Sequence, residues 1–303
     1  MDVSIIIVNY NTNILLKQCI NSIYRYVKDL YFEIIVIDNA STDGSVDMIK
    51  EAFPNVILIE SKENLGFGKA NNLGAKHALG NFLFLLNSDT VLLENSIWIL
   101  KEFLENTNDP DIAVVGCKLL DVNYNPHISY GNFPTIYQEL FEFGLSKFFR
   151  KYYIQNLSPS VIDNGTQITE VDYIMGADMF FRRNIFEMIN GFDEDFFLYY
   201  EETEICFRLN KLGYKIVWNP NTSIIHYLGA SGKSVKEIDY WILEQLQKSK
   251  NLYFKKCHGI LMATVIKYIS IFKTVIIYRK FDSIRILRIF LRIGSEPKKR
   301  KNN

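Results

Sequence analysis

Val3-Ser-Ile-Ile-Ile-Val-Asn-Tyr-Asn11 runs apolar, apart from Ser4, as far as Val8 and then stops in polar side chains. A run this short, with neither clean alternation nor a helical period, predicts a strand covered on both faces. Working outward, similar runs recur at Glu33–Ile37, Asn55–Ile59 and Phe82–Leu86, each after a helix-like stretch. Those stretches are Ile14–Tyr26, where Leu15, Cys19, Ser22 and Tyr26 share a face, then Val46–Phe53 behind the capping residues Ala40-Ser-Thr-Asp-Gly44, and Phe67–Leu79. The alternation predicts an α/β chain: a mostly parallel sheet with helices on both faces, whose ligands gather at the carboxyl ends of the strands.

With 303 residues, 48% of them hydrophobic, the chain has material for one large or two ordinary domains. Its net charge of zero hides an asymmetry. From Lys248 onward there are fifteen Lys and Arg against Asp282 and Glu296, a net of +13, so residues 1–247 carry −13. No basic stripe interleaved with aromatics runs through the acidic body, which excludes a nucleic-acid reader. Cys19, Cys117, Cys206 and Cys257 stand far apart without a C-x-x-C pair, so neither a zinc site nor a disulfide framework is expected, and a reducing cytosol fits. The N-terminus lacks a basic region and its apolar run is too short for an export signal.

Three predicted strand ends carry polar groups where a ligand would lie: Asn9-Tyr10-Asn11, Asp38-Asn39 and Asn87-Ser88-Asp89. A carboxylate there can pair with a nucleobase, ligate a cation or cap the next helix; for Asp38, Ser41-Thr42-Asp43 make capping a serious competitor. Asp89 is a hard oxygen ligand of the kind that holds Mg²⁺ or Mn²⁺ against a diphosphate. Asn64-Leu-Gly-Phe-Gly-Lys-Ala-Asn-Asn72 sets two glycines at the mouth of a helix, where backbone N–H groups can approach a phosphate or ribose. Neither G-x-G-x-x-G nor G-x-x-x-x-G-K-[ST] is present, which counts against a dinucleotide-binding oxidoreductase and a phosphate-loop NTPase.

Farther on, Gly191-Phe-Asp-Glu-Asp-Phe-Phe-Leu-Tyr-Tyr-Glu-Glu-Thr-Glu-Ile-Cys-Phe-Arg208 places Glu201, Glu202 and Glu204 at a helix start. A helix N-terminus favours negative charge and would hold one of these carboxylates ionised as a proton acceptor, unless the cluster is simply a solvated, well-capped start. Glu204 and Arg208 have i, i+4 spacing for an ion pair. Between Val122 and Pro159 the pattern loosens into aromatic-rich, turn-rich sequence expected to shape a pocket. Order returns at Glu170–Arg183, and two further strand-like runs follow, Lys215–Trp218 and Ser223–Tyr227.

In this order the motifs resemble family 2 glycosyltransferases, in particular the rhamnosyltransferase-like branch that builds bacterial surface polysaccharides such as lipopolysaccharide and capsule. They are Val3–Asn11, Ile-Asp-Asn-Ala-Ser-Thr-Asp-Gly44, Asn-Leu-Gly-Phe-Gly68, Leu-Asn-Ser-Asp-Thr90, Met-Gly-Ala-Asp-Met-Phe-Phe-Arg-Arg183, Gly-Phe-Asp193 and Glu201–Arg208, so the resemblance covers roughly Val3 to Ser231. It implies a GT-A fold and an inverting transfer of a hexose-class sugar, rhamnose among the candidates, from a nucleotide-diphosphate sugar to a glycan or lipid-linked glycan. Asp38 matches the residue that pairs with a pyrimidine base, which favours a UDP or dTDP donor. Asn9 and Tyr10 fall on the strand lining the nucleotide, with Asn64, Gly66 and Asn71 beside it. Asp89 matches the last acid of the D-x-D metal motif, whose first acid is here Asn87, and His226 matches a histidine that can reach the Mg²⁺ or Mn²⁺ or the diphosphate. Glu202 aligns with the usual aspartate base, one methylene longer, and Glu201 with the acid before it. Gly176-Ala177-Asp178 is the candidate acceptor-side loop, together with Glu201; the alternative for Asp178 is a plain turn or strand-edge residue. The competing readings are a nucleotidyltransferase, which would need a basic Gly-rich loop after the first strand, and a non-catalytic nucleotide-sugar- or glycan-binding subunit of an assembly complex.

The expected division is a catalytic unit over 1–235, nucleotide-sugar-binding to about 120 and acceptor-binding beyond, followed by a basic amphipathic helical extension over 236–303. Ile260–Tyr278 looks membrane-like but holds Lys267 and Lys273, each costing about 2.5–3.5 kcal/mol near a helix centre, so a span is disfavoured. Ile286, Ile289, Phe290 and Ile293 fall on one helical face and Arg285, Arg288 and Arg292 on another, the pattern of an interfacial helix on an anionic membrane surface. The expectation is a cytoplasmic protein held on the inner face of the membrane; the alternative is that these helices pack on the catalytic unit or on a second copy, giving a homodimer.

Overall fold

The computed structural model describes residues 1–142, 145–227 and 240–277, with Arg288, Leu291 and Ile293 beyond them. The first half alternates as expected: β1 (Val3–Asn9), α1 (Asn13–Tyr26), β2 (Phe32–Asp38), α2 (Ser45–Ala52), β3 (Ile57–Glu60), α3 (Phe67–His77), β4 (Phe82–Asn87), β5 (Thr90–Leu92), α4 (Ser96–Asn106) and β6 (Ile112–Leu120). Then come β7 (Ile128–Gly131), α5 (Ile136–Phe141), α6 (Leu145–Phe148), α7 (Arg150–Asn156), β8 (Val161–Ile162), β9 (Thr169–Val171), β10 (Tyr173–Ile174) and β11 (Asp178–Arg182). The chain continues through α8 (Arg183–Met188), α9 (Glu201–Lys211), β12 (Lys215–His226), α10 (Tyr240–His258) and α11 (Ile260–Ile277).

One large sheet runs β3-β2-β1-β4-β11-β6-β12-β5, with β9 also on β12. From β3 to β4 every pairing is parallel, and β1 puts Asn9 beside Asp38 and Val8 beside Asn87. Those pairings bring the predicted strand ends to one edge. Past β4 the sheet becomes mixed, because β11 enters antiparallel between β4 and β6. Successive β1 residues serve opposite cores, as the uninterrupted apolar run requires. Ile5 and Ile7 pack with Leu16, Ile20 and Ile23 of α1 and Leu100 of α4, whereas Ile6 packs with Ala70 of α3 and Ile205 and Leu209 of α9. The expected face of α1 is buried at Cys19 and Ser22 with Leu15 and Tyr26 half-buried at its edge, and Leu16, Ile20 and Ile23 extend it to one side.

Two regions depart from the sequence reading. Val122–Pro159 is not simply turn-rich, since it contains β7 and the short helices α5 to α7. The runs at Lys215–Trp218 and Ser223–Tyr227 join into the single strand β12, whose register on β6 shifts between Asn219 and Ser223. A third, smaller core gathers Tyr253 and Phe254 of α10, Ala263 and Ile266 of α11, and Phe196, with Tyr200 and Phe207 packed against it. The C-terminal helices thus pack on the rest of the chain. The expected domain boundary at 235, and the amphipathic faces over 285–292 apart from Arg288, lie outside the described residues; Ile293 is 6% exposed and its carbonyl accepts from Lys267 Nζ. Among the described residues no helix is long and apolar enough to cross a membrane.

Candidate active site

Hydrogen bonds between side chains lock the strand ends together. Asn9 Nδ2 donates to Asp38 Oδ1 at 2.8 Å and to Ser41 Oγ at 3.0 Å, while Thr12 Oγ1 lies 2.6 Å from Asn9 Oδ1 and 2.7 Å from Ser88 Oγ. The chain Asp38–Asn9–Thr12–Ser88 therefore joins β2, β1 and the turn after β4, one residue short of Asp89. Asp38 is 1% exposed and its Oδ2 accepts from Ser41 N at 2.9 Å, so its carboxylate organises the loop as the capping alternative required. Tyr10 stands 48% exposed at the same edge. Asn39, next to Asp38, carries the bond outward by donating to Gly66 O at 3.1 Å, and Asn64 Oδ1 accepts from Gly66 N at 2.9 Å. Asn71 is buried and spends its amide on Phe67 O within α3, which turns it away from a ligand.

At the end of β4 the predicted metal residues meet. His226 Nε2 lies 3.3 Å from Asp89 Oδ1 and 3.4 Å from Asn87 Nδ2, because β12 pairs His226 with Thr90 and Tyr227 N donates to Asp89 O. Both side chains are nearly covered, with 15% of Asp89 and 10% of His226 still exposed. Among the described residues no third acid, His or Cys joins them. One carboxylate and one imidazole fit Mg²⁺ or Mn²⁺, ions that complete their shells with water and substrate phosphate oxygens.

The acidic helix start is built under strain. Tyr199 and Tyr200 both take left-handed backbone conformations, φ +70° and +67°, which cost about 1–3 kcal/mol each outside glycine. Contacts from α10 hold them there. Ser249 Oγ donates to Leu198 O at 2.7 Å, Tyr253 packs its ring 5.5 Å from that of Tyr200, and Lys256 pairs with Asp193 and Asp195. The segment then opens α9. Glu204 pairs with Arg208 at 2.7 Å, as the spacing predicted, and Arg208 also donates to Ile189 O and Gly191 O. Glu201 is 4% exposed with Oε2 lacking any hydrogen-bond partner, and Glu202 beside it is half-buried. Burial, reinforced by the charge of Glu202, holds the Glu201 carboxyl well above the ordinary carboxylate range, and burial raises Glu202 too, against the pull of backbone N–H groups at the helix start. The macrodipole alone would keep a carboxylate ionised; desolvation outweighs it.

Close backbone approach brings the two halves together. A Cβ on Gly176 would lie 3.4 Å from the Phe67 ring and 3.7 Å from Glu202 Cβ, and one on Gly68 would lie 3.7 Å from Glu201 Cβ. Gly66, at φ +81°, comes so near Phe197 that a Cβ would sit 2.2 Å from its carbonyl oxygen, and Phe67 N donates to that oxygen at 3.1 Å. Asn87 N donates to Ala177 O at 3.0 Å, so the neighbourhood of His226 runs through Ala177 and Gly176 to Glu202. Of the predicted acceptor loop only Gly176 reaches this cleft. Ala177 is buried in the core, and Asp178 turns into the sheet, where its Oδ2 accepts from Cys117 N at 2.5 Å and burial pushes its carboxyl up to about 8.

Sequence reasoning placed Asn39 at a strand end and Asn72 in the glycine-containing motif but gave neither a role. Asn72 exchanges bonds with Phe192, its Nδ2 donating to Phe192 O and its Oδ1 accepting from Phe192 N, both at 2.9 Å. The glycine-containing motif includes Asn72, but nothing local marks a partner 120 residues away. Tyr130 and Ile154 of the 122–159 region, with Asp163 and Glu170 beyond it, help line a cavity of about 770 Å³, none of whose walls is a predicted site residue. All four cysteines are free thiols.

The sequence profile of glycosyl transferase family 2 matches residues 4–189. O-antigen biosynthesis protein RfbC of Myxococcus xanthus is 28% identical over 250 residues, which cover 79% of this chain and 18% of that protein. N-acetylglucosaminyl-diphospho-decaprenol L-rhamnosyltransferase of Mycobacterium tuberculosis is 25% identical over 211 residues, 64% of this chain and 66% of the relative. The chain thus spans under two thirds of the length of either. Among solved structures, mannosyltransferase PcManGT from Pyrobaculum calidifontis, in complex with GDP-Man and Mn²⁺, superposes with a TM-score of 0.56 at 16% identity, covering 96% of this chain and 73% of that one. That likeness shows the GT-A fold.

Proposed function

Since the chain belongs to glycosyl transferase family 2, we propose that it moves a sugar, with inversion, from a nucleotide-diphosphate sugar to a hydroxyl of a glycan or lipid-linked glycan in surface polysaccharide synthesis. The observation that carries this reading is the junction of Gly66, Gly176 and Glu202, which sets an acid next to both the donor loop and the strand end holding Asp89 and His226. A pyrimidine nucleotide lies across the strand ends, its base toward Asp38 and Tyr10 and its ribose and phosphates along Asn9, Asn64 and Gly66. Asp89 and His226 would hold Mg²⁺ or Mn²⁺, which supplies positive charge to the departing diphosphate.

Glu202 takes the proton of the acceptor hydroxyl as that oxygen attacks the anomeric carbon from the face opposite the diphosphate. The neighbouring carboxyls divide this labour. Glu201, the more deeply buried of the two, holds the proton the pair retains, which leaves Glu202 as the charged partner and, because burial raises it as well, a stronger base than an ordinary carboxylate. Such assistance is worth about 10²–10⁴-fold. Glu201 and the backbone at Gly176 hold the acceptor.

Rhamnose from a dTDP or UDP donor is the first candidate, supported by the activity for which the mycobacterial relative is named. The test is release of nucleoside diphosphate from a panel of dTDP-, UDP- and GDP-sugars with Mn²⁺, paired with thermal shifts for the same panel. Turnover that vanishes in Glu202→Gln while the donor-induced shift survives supports the reading. Thermal shifts without any turnover, with acceptor supplied, favour the non-catalytic binding subunit.

A further inference from the structure

The interfacial face expected in the C-terminal tail has only Arg288 and Ile293 among the described residues, and Ile293 is buried against the protein. A different segment carries the chemistry of a lipid surface. Within Lys147-Phe-Phe-Arg-Lys-Tyr152, on α6 and α7, Phe148 is 83% exposed, Phe149 57% and Tyr152 55%, with exposed Lys147, Arg150 and Lys151 set between them. None of the three cations pairs with a carboxylate among the described residues. From residue 143 to 162 the chain has no acid at all, although residues 1–247 together carry −13. Single exposed apolar residues are ordinary; a run of aromatics alternating with cations is the composition of a membrane–water interface.

The run is fixed in place and has apolar neighbours. Phe141 of α5 packs its ring 6.4 Å from Phe149 and 5.9 Å from Tyr152. Glu142, just past α5, accepts from Tyr153 Oη at 3.1 Å and from Lys273 Nζ of α11, while Glu139 takes Lys250 of α10 and Lys273. The buried Glu139 pairs tie α5 to α10 and α11, and the hydrogen bond from Tyr153 to the exposed Glu142 adds α7.

We propose that the 147–152 segment docks on an anionic lipid surface: the aromatic rings enter the headgroup layer and Lys147, Arg150 and Lys151 meet lipid phosphates. Charge selects this occupant over a second copy, since a two-fold contact would set the three cations of one chain against the same three of its partner. The proposal rests on the glycosyltransferase reading only for its purpose, which is to hold the acceptor half beside a lipid-linked glycan; lipid binding itself is read without any transfer.

The experiment is sedimentation of the full chain with vesicles of phosphatidylcholine alone and of phosphatidylcholine with phosphatidylglycerol, at low and high salt. The expected result is pelleting with the anionic vesicles only, released by salt, and weakened roughly a hundredfold in the triple variant Lys147→Glu, Arg150→Glu, Lys151→Glu. Phe148→Ser with Phe149→Ser should also detach the chain, and Phe148→Trp should add fluorescence that brominated acyl chains quench. These side chains are exposed, so unchanged melting and donor-induced thermal shifts show that fold and donor site persist. Undiminished binding in both the charge and the serine variants overturns the proposal, as does fluorescence from the Phe148→Trp variant that brominated lipid leaves unquenched. So does a dimer in solution that the serine variant dissolves, which would identify the face as a contact between copies.

Discussion

The strand-end edge and the start of α9 are the two polar regions of the cleft, and they are built oppositely. At the edge, Asp38, Asn9, Thr12 and Ser88 satisfy one another in a closed relay. At α9, Glu201 Oε2 and Glu204 Oε2 are buried without hydrogen-bond partners, and two consecutive tyrosines hold left-handed conformations. An unmade bond to a buried polar atom costs about 1–3 kcal/mol, more when the group is charged. On the proposed reading, in which Glu202 between these two acids is the base, the difference separates binding from chemistry. A nucleotide needs a preset surface, whereas a base needs a carboxylate whose proton affinity has been raised by withdrawing it from water and then held there by α10.

The contrast breaks most visibly at Glu202. Glu202→Gln should lower kcat by at least about a hundredfold with donor affinity intact, while Glu201→Gln should act more on acceptor KM. The pH profile sharpens the point. The base works ionised, so kcat/KM should rise with pH through a pKa above the ordinary carboxylate range, and an acid limb in the ordinary range, about 4, would show that α9 does not raise its acids. Next in size, Asp89→Asn should weaken donor binding in the presence of Mn²⁺ by about tenfold or more and remove most divalent-cation dependence. His226→Ala should follow it; native activity that is complete in EDTA would give Asp89 another task.

Stability measurements test the preset edge. Thr12→Val leaves Asn9 Oδ1 short of a donor and should cost about 1–3 kcal/mol in urea unfolding, and a negligible loss would mean that the relay is not closed. For Asp178 the folded carboxyl is raised to about 8, so its contribution is fully present below the unfolded pKa near 3.8 and is lost as pH rises through 8. Asp178→Asn should therefore be more stable than the parent at about pH 9 and close to it at about pH 4, by melting temperature; a gap of constant size at both would refute the burial argument. The smallest effect belongs to Tyr253→Phe. The Tyr253 hydroxyl is buried without a partner, so removing it should leave stability unchanged or raise it by about 1 kcal/mol, with the ring still bracing Tyr200.

Much of this cleft was legible because its signals are local. The apolar runs ending in Asn9, Asp38 and Asn87 located the edge, and Glu204 with Arg208 followed from helical spacing. For Asp178 the strand-edge alternative holds, because a motif gives the position of a residue and not the direction of its side chain. β11 enters the sheet antiparallel, and that turns Asp178 toward Cys117. The support of Leu198 and Tyr200 by Ser249 and Tyr253 had no local mark, since it depends on packing between segments some fifty residues apart. The tail's charge drew attention to residues beyond 285, while the Lys147–Tyr152 run, with exposed aromatics and no period, looked like an ordinary loop.

Gly66 against Phe197, and Asn72 against Phe192, have a consequence for hybrid enzymes. Consider a hybrid of two related chains joined near residue 120, where the proposed nucleotide-binding and acceptor-binding parts would meet. That cut separates residues 66–72 from 191–197, which fit each other as a key fits its lock: a side chain at 66 would strike Phe197 O, and one at Gly191 would strike Asn72 Oδ1 at 2.3 Å. A hybrid inherits a working cleft only when both stretches come from one parent. The two stretches therefore have to be exchanged together, although more than a hundred residues of sequence lie between them.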